Sequence, residues 1–143
     1  MTAITVSLVV MIGLAAFHHL SLTSLVRTRP DWAKRSTSAP IYVFTGLVFV
    51  HLAEIGVLAC ASAALDQWLW KDSFDPAFGQ SWVDWFYLSG TLYTTLGYAP
   101  FDVVGDMRVL TVAIGLVGFM LLTWSATFLY AICSQTWKSE AQD

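Results

Sequence analysis

The chain has 143 residues, of which 57% are hydrophobic and only 12% charged, with a formal net charge of −3 at pH 7. Ordinary soluble domains have roughly 45–50% apolar and about 25% charged residues, so this composition excludes the soluble globular class and indicates a membrane protein. The net negative charge argues against nucleic-acid binding. Nothing indicates an enzyme, because the sequence has no nucleophile and base at a recognisable spacing and no phosphate-binding loop.

Three segments are long enough to cross a bilayer, which takes about 20 mostly apolar residues. Residues 4–26 carry no charged side chain, residues 41–64 carry one acid, Glu54, and residues 109–133 carry none. A secretory signal peptide is the less favoured interpretation of the first segment, because no basic leader precedes it. The sequence therefore predicts three transmembrane helices.

The loops between these segments differ in charge. The first loop is basic and holds Arg27, Arg29, Lys34 and Arg35. The second is acidic and holds Asp66, Asp72, Asp75 and Asp84. Because short basic loops stay on the cytoplasmic side, we expect a multi-pass protein of the cell membrane with its N-terminus outside and its C-terminus in the cytoplasm.

A fourth apolar segment, residues 82–96, is too short to cross the membrane and is predicted to be re-entrant. Ser81 is a suitable N-cap with Asp84 at the third helical position, and the helix is expected to run to about Tyr93. The negative end of its dipole would then point toward the middle of the bilayer, where it favours a cation.

The stretch that follows this helix reads TTLGYA, residues 94–99. It resembles the TTVGYG-type signature of the potassium channel pore-loop family. The order of a span, a pore helix, a filter and a last span over residues 41–133 also resembles the two-span pore module of that family, as in small bacterial ion-channel-like proteins. Residues 1–26 would then be an added peripheral transmembrane helix.

The resemblance implies a homotetramer in membrane lipid, in which each chain supplies one filter strand. It implies monovalent cations, potassium and possibly sodium, as permeant ions, with no cofactor and no small-molecule substrate. The expected fold is an all-α membrane protein with three transmembrane helices plus a re-entrant pore helix and filter, assembled as a four-fold pore. The outer helix begins at residue 41, the pore helix covers 82–93, the filter 94–99 and the inner helix 109–133. The implied ion-filter residues are Thr94, Thr95, Leu96, Gly97, Tyr98 and Ala99.

Ala99 stands where the family signature has its second glycine. Both glycines of the signature take positive φ, which lets carbonyls point at the axis; Gly97 keeps this freedom, whereas alanine costs about 1–2 kcal/mol there. Pro100 also pushes the residue before it toward extended geometry. The hypothesis is that the inner oxygen layers persist, the layer at Tyr98 and Ala99 is reshaped or lost, and selectivity for potassium is weak. The alternative is a nonconducting relative with a collapsed filter.

Ionisable groups lie deep inside two predicted spans. His51 precedes Glu54 by about one helical turn, and His18 lies at a similar depth in the first span. The favoured interpretation is that Glu54, with His51, supports the filter through a hydrogen bond to Ser89, Thr91 or Tyr93 of the pore helix. The alternative is a metal or proton site of His18 or His19 with His51 and Glu54, in a protein whose role is metal binding.

Two further pairs have two interpretations each. Asp102 and Asp106, repeated around an axis, would concentrate cations at an outer mouth, or they are solvated loop residues with Arg108 as a local partner. Gly115 and Gly118 are candidates for a hinge in the last span, although small residues in spans more often allow close helix packing.

Overall fold

The computed structural model describes residues 1–29, 38–97 and 102–140. These residues form four helices, which are α1 (Thr2–Arg27), α2 (Ala39–Trp68), α3 (Trp82–Tyr93) and α4 (Met107–Glu140). Within the described ranges there is no strand, only an isolated bridge between Phe74 and Val103. The predicted all-α fold is confirmed.

Three of the helices, α1, α2 and α4, are long and apolar enough to span a bilayer, with 26, 30 and 32 residues in their candidate spans. At about 1.5 Å per residue each exceeds the roughly 30 Å of hydrocarbon. They also extend beyond the predicted segments 4–26, 41–64 and 109–133 at both ends. Hydropathy marks the part of a helix that lipid surrounds, whereas backbone hydrogen bonding continues into the interface until a turn residue stops it.

The N-terminal helix α1 packs mainly against α4 and to a lesser degree against α2. Its buried residues recur about every four positions and therefore lie on one face: Ala3, Ser7, Leu14, His18 and Leu22. Most of its large apolar side chains, such as Val9 and Ile12, point outward and are exposed. The helix is thus typical of a membrane-spanning helix that packs through one face only, and that face brings His18 into the bundle.

The short helix α3 is held between α2 and α4, with Trp85, Leu88 and Tyr93 buried in the main hydrophobic cluster. Its N-terminus has the expected cap, because the Ser81 hydroxyl accepts a hydrogen bond from the Asp84 amide and the Asp84 side chain accepts one from the Ser81 amide. These bonds from Ser81 lower the pKa of the Asp84 carboxyl below its ordinary value. Twelve residues span only about 18 Å, so α3 is too short to cross the bilayer.

The loops on either side of α3 hold each other at the same end of the bundle. The Asp75 amide donates to the Asp102 carbonyl at 3.1 Å, and the Val104 amide donates to the Ser73 carbonyl at 2.8 Å. Phe78 packs its ring edge to face against Trp85 of α3, with centroids 4.7 Å apart. The segment that follows α3 is therefore anchored at its helical start and again just before α4.

Candidate functional site

The chain after α3 turns back over the C-terminal end of that helix. The Thr95 amide donates to the Leu92 carbonyl at 3.0 Å, and the Gly97 amide donates to the Thr91 carbonyl at 3.2 Å. The φ angles of Thr95 and Gly97 are 58° and 67°, whereas Leu96 between them is outside the left-handed region. Where the φ angles of successive residues alternate between the right-handed and left-handed regions, successive carbonyls point to the same side. In a regular strand, by contrast, successive carbonyls point to opposite sides.

Positive φ at Thr95 is the unusual part of this turn. A β-branched residue is an outlier in the left-handed region, at a cost of about 1–2 kcal/mol. Strain of this kind persists only where the surroundings enforce it, and it concentrates at functional sites. Sequence reasoning expected positive φ at Gly97 and missed Thr95, because threonine carries no signal for it.

The described filter residues, 94–97, are exposed in the single chain, and Leu96 has 72% of its surface accessible. The Thr94 hydroxyl donates back to the Gly90 carbonyl at 2.8 Å, so it continues the hydrogen bonding of α3. Tyr98 and Ala99, with Pro100, lie outside the described residues. Four of the six expected filter residues are thus described, and all four are exposed in the single chain.

Two glycines of α4 lie directly against the end of α3. A Cβ added to Gly118 would overlap the backbone carbonyl of Tyr93, and one added to Gly115 would lie 3.6 Å from the Leu92 carbonyl oxygen. The overlap at Gly118 involves main-chain atoms, which cannot rotate away. This geometry favours close packing over the hinge as the role of both glycines.

A buried polar cluster lies next to the turn formed by residues 94–97, which we call the filter turn after the expected filter. All four helices contribute side chains there. Glu54 of α2 is at its centre and has no exposed surface. Its Oε1 lies 2.7 Å from His18 Nδ1 of α1, and its Oε2 lies 2.9 Å from His51 Nδ1. The Tyr93 hydroxyl, on the last residue of α3, donates to Oε2 at 2.6 Å. We call these four side chains the Glu54 cluster.

The positions of the protons in the Glu54 cluster follow from which groups can donate a hydrogen bond and which can only accept one. An ionised carboxylate only accepts, so both Nδ1 atoms carry a proton and donate to it. His51 Nδ1 is also 2.7 Å from the Tyr93 oxygen, and can share its proton with that oxygen. Ser125 of α4 lies 3.4 Å from His18 Nε2. A buried charge is thereby met by three donors from three helices, which makes its burial tolerable.

Only some of the residues predicted to lie near Glu54 belong to the Glu54 cluster. His18, and not its neighbour His19, lies in the cluster; the His19 ring is near Trp124. Of the three possible partners of Glu54 on α3, Tyr93 makes the bond, Thr91 donates to the Leu88 carbonyl, and Ser89 Oγ has no partner among the described residues. Ser125 was not singled out from the sequence, because one serine in an apolar span gives no sign of its partner.

The outer-mouth candidates lie on the loop between the filter and α4. Asp102 and Asp106 are both exposed. Their backbone carbonyls accept hydrogen bonds from the Asp75 and Val109 amides, and the first of these bonds holds Asp102 beside the loop that precedes α3.

The comparison with protein families gives one match. A profile described as ion channel matches residues 41–135, about two thirds of the chain, from the start of α2 to near the end of α4. No curated protein and no solved structure matches the chain significantly. The matched region contains α2, α3, the filter turn and α4, and it leaves α1 outside.

Proposed function

We propose, since this chain belongs to the ion channel family, that four copies of it surround a pore and conduct monovalent cations through residues 94–99. Membership in that family implies a transport protein of the membrane and not an enzyme. It does not favour a protein whose main role is metal binding. The four-fold assembly and the filter are our proposal.

One observation carries the proposal, namely the turn at Thr95 and Gly97. Its φ angles are positive at Thr95 and Gly97 and not at Leu96, and residues 94–97 are exposed in the single chain. This alternation favours carbonyls that point to one side, toward an axis shared with other copies. Rings of such carbonyls replace the hydration shell of a cation when several copies meet around an axis. The negative end of the α3 dipole adds to the attraction for a cation.

The apolar surface of α4 supports assembly into such a ring. Val112, Leu116, Phe119 and Met120 follow one another at helical spacing on one face, and each is more than half exposed in the single chain. In the proposed ring, part of this face would pack against neighbouring copies and part would line the inner pore, as expected where helices of identical subunits converge. The same proposal places the N-terminus outside the cell and the C-terminus in the cytoplasm.

The support for the filter is the Glu54 cluster together with Gly118. Tyr93 connects the end of α3 to Glu54 through its hydroxyl, and Gly118 lets the Tyr93 backbone lie against α4. The last residue before the filter is thereby held from two sides. The strained φ at Thr95 requires this kind of rigid surrounding.

The outer end of the filter determines the expected selectivity. Ala99 and Pro100 disfavour the backbone conformation in which every filter carbonyl points at the axis, so fewer layers of oxygen ligands are expected. We therefore propose a conducting channel with weak preference for potassium over sodium. A filter that these residues collapse completely is the alternative, and it predicts no flux from purified protein in liposomes.

Reversal potentials in mixed potassium and sodium test this proposal. The native channel is expected to discriminate weakly, and the double variant Ala99→Gly with Pro100→Asp to gain at least about tenfold in permeability ratio, equal to about 1.4 kcal/mol. Pro100→Asp alone is the matched control, since it leaves the alanine in place. A native channel that is already strongly selective for potassium would overturn the proposal.

A further inference from the structure

We propose that His18, His51 and Glu54 form a binding site for one divalent transition metal ion of the zinc class per chain. This inference goes beyond ion conduction and does not depend on it. The site lies behind the filter turn and away from the surface of α3 and α4 that would line the pore. It joins the N-terminal helix, which is outside the matched channel region, to the part of the chain that supports the filter.

The donor atoms of the site already converge. One ring nitrogen of His18, one of His51 and a carboxylate oxygen of Glu54 all lie within 4.8 Å of one another. The Nδ1 atoms are the ones in hydrogen-bond contact with Glu54. Bonds of about 2.0–2.2 Å to a tetrahedral zinc ion separate its ligands by about 3.3 Å. The distance between His18 Nδ1 and Glu54 Oε1, 2.7 Å, needs to open by only about half an ångström to reach this separation. His51 Nδ1 contacts the other carboxylate oxygen, Oε2, at 2.9 Å and must turn toward the ion. Side-chain rotations supply these changes, and each imidazole must move its Nδ1 proton to Nε2 so that Nδ1 can bind the metal.

The groups around these donors are those that a metal site requires. With Glu54 binding through Oε1, the Tyr93 hydroxyl at 2.6 Å continues to hold Oε2. Ser125 meets His18 at Nε2, on the far side of the ring from the ligating nitrogen. Partners of this kind fix ring orientation and tautomer in metal centres. A water molecule would complete a four-coordinate shell.

The donor set selects the class of metal. Two neutral imidazole nitrogens and one carboxylate suit zinc, cobalt, nickel or copper, whereas calcium and magnesium prefer oxygen ligands alone. Access is through His51, whose side chain is 16% exposed while those of His18 and Glu54 are fully buried. An ion bound there would fasten α1 to α2 at the residue that holds Tyr93.

Cobalt titration of the intact, tag-free protein in detergent tests the site. We expect one equivalent of Co²⁺ per chain, with the visible absorption of a tetrahedral complex, displaced by Zn²⁺. His18→Gln and His51→Gln should each weaken binding at least about 100-fold, and Ser125→Ala about tenfold as an outer partner. His19→Gln is the matched control, because it removes the neighbouring histidine and should bind as the native protein does.

The variants are compared only where size-exclusion elution matches that of the native protein, and Glu54→Gln serves where a histidine variant fails this check. Two results would overturn the site. One is a folded native protein that takes up no stoichiometric cobalt. The other is uptake that falls as much in His19→Gln as in His18→Gln, which would reveal adventitious surface binding. Because the readout is binding and not current, failure here leaves the channel proposal standing.

Discussion

Replacing Gly118 with alanine is expected to abolish conduction and to destabilise the assembly. The added methyl group would overlap the Tyr93 carbonyl, so either α4 or the end of α3 must move. Overpacking of this kind costs about 1–3 kcal/mol, and main-chain atoms give it no inexpensive relief. Because the filter turn begins one residue after Tyr93, any shift of α3 also displaces the carbonyls of Thr95 and Gly97. Liposome flux and the thermal midpoint of the detergent-purified protein measure the two effects.

The chain offers two matched controls for this substitution. Gly115→Ala lies one turn away on the same helix and places its methyl group at ordinary contact distance from the Leu92 carbonyl. Gly56→Ala on α2 meets nothing within 4 Å. Both should conduct and should be as stable as the native protein or slightly more so, since alanine is the better helix former. Normal flux in Gly118→Ala would show that the filter does not depend on this packing.

Replacing Glu54 with alanine is expected to cost about 3–5 kcal/mol, the range observed when one partner of a buried charged network is removed. His18, His51 and Tyr93 all donate to this one carboxylate, and no other acidic side chain among the described residues of the cluster can replace it. The helices α1 and α3 would both lose the carboxylate that they share. Loss of the elution peak of the native assembly, or its disappearance at a lower temperature, measures the effect.

Glu54→Gln separates support of the filter from metal binding. The amide oxygen of glutamine still accepts the hydrogen bond of Tyr93, and the histidines can change tautomer to suit the amide group. Conduction should therefore persist, with a loss of roughly 1–2 kcal/mol in stability. Cobalt binding should be lost, because a neutral amide is a poor ligand beside two imidazoles. A glutamine variant as unstable as the alanine variant would contradict the role of Glu54 as an acceptor that holds Tyr93.

The elements that depend on local rules could be predicted from the sequence. Apolar length alone indicates the three spans, and the Ser81 and Asp84 pair indicates the start of α3, because capping involves residues three apart. The helices α1, α2 and α4 continue beyond the predicted apolar segments at both ends. Hydropathy indicates where the lipid-embedded part of a helix ends. It gives no signal for how far the helical hydrogen bonding continues beyond that point.

The candidate site depended on information that one sequence does not hold. Residue counting brought His18 and His51 to a similar depth, but α1 is apolar on all sides and its rotation could not be derived. In the structure the stripe through Leu14 and Leu22 turns His18 inward and leaves His19 outside. The positive φ of Thr95 and the contact of Gly118 with Tyr93 likewise arise from packing between segments that lie far apart in the chain.

The central claim is that four subunits direct main-chain oxygens at one shared axis. A structure of the purified assembly in potassium, repeated in thallium, tests it most directly. The account predicts a four-fold ring with ion density on the axis at the level of residues 95–97, stronger in thallium. A monomer or dimer, or a ring whose axis carries no density beside Thr95 and Gly97, would contradict it.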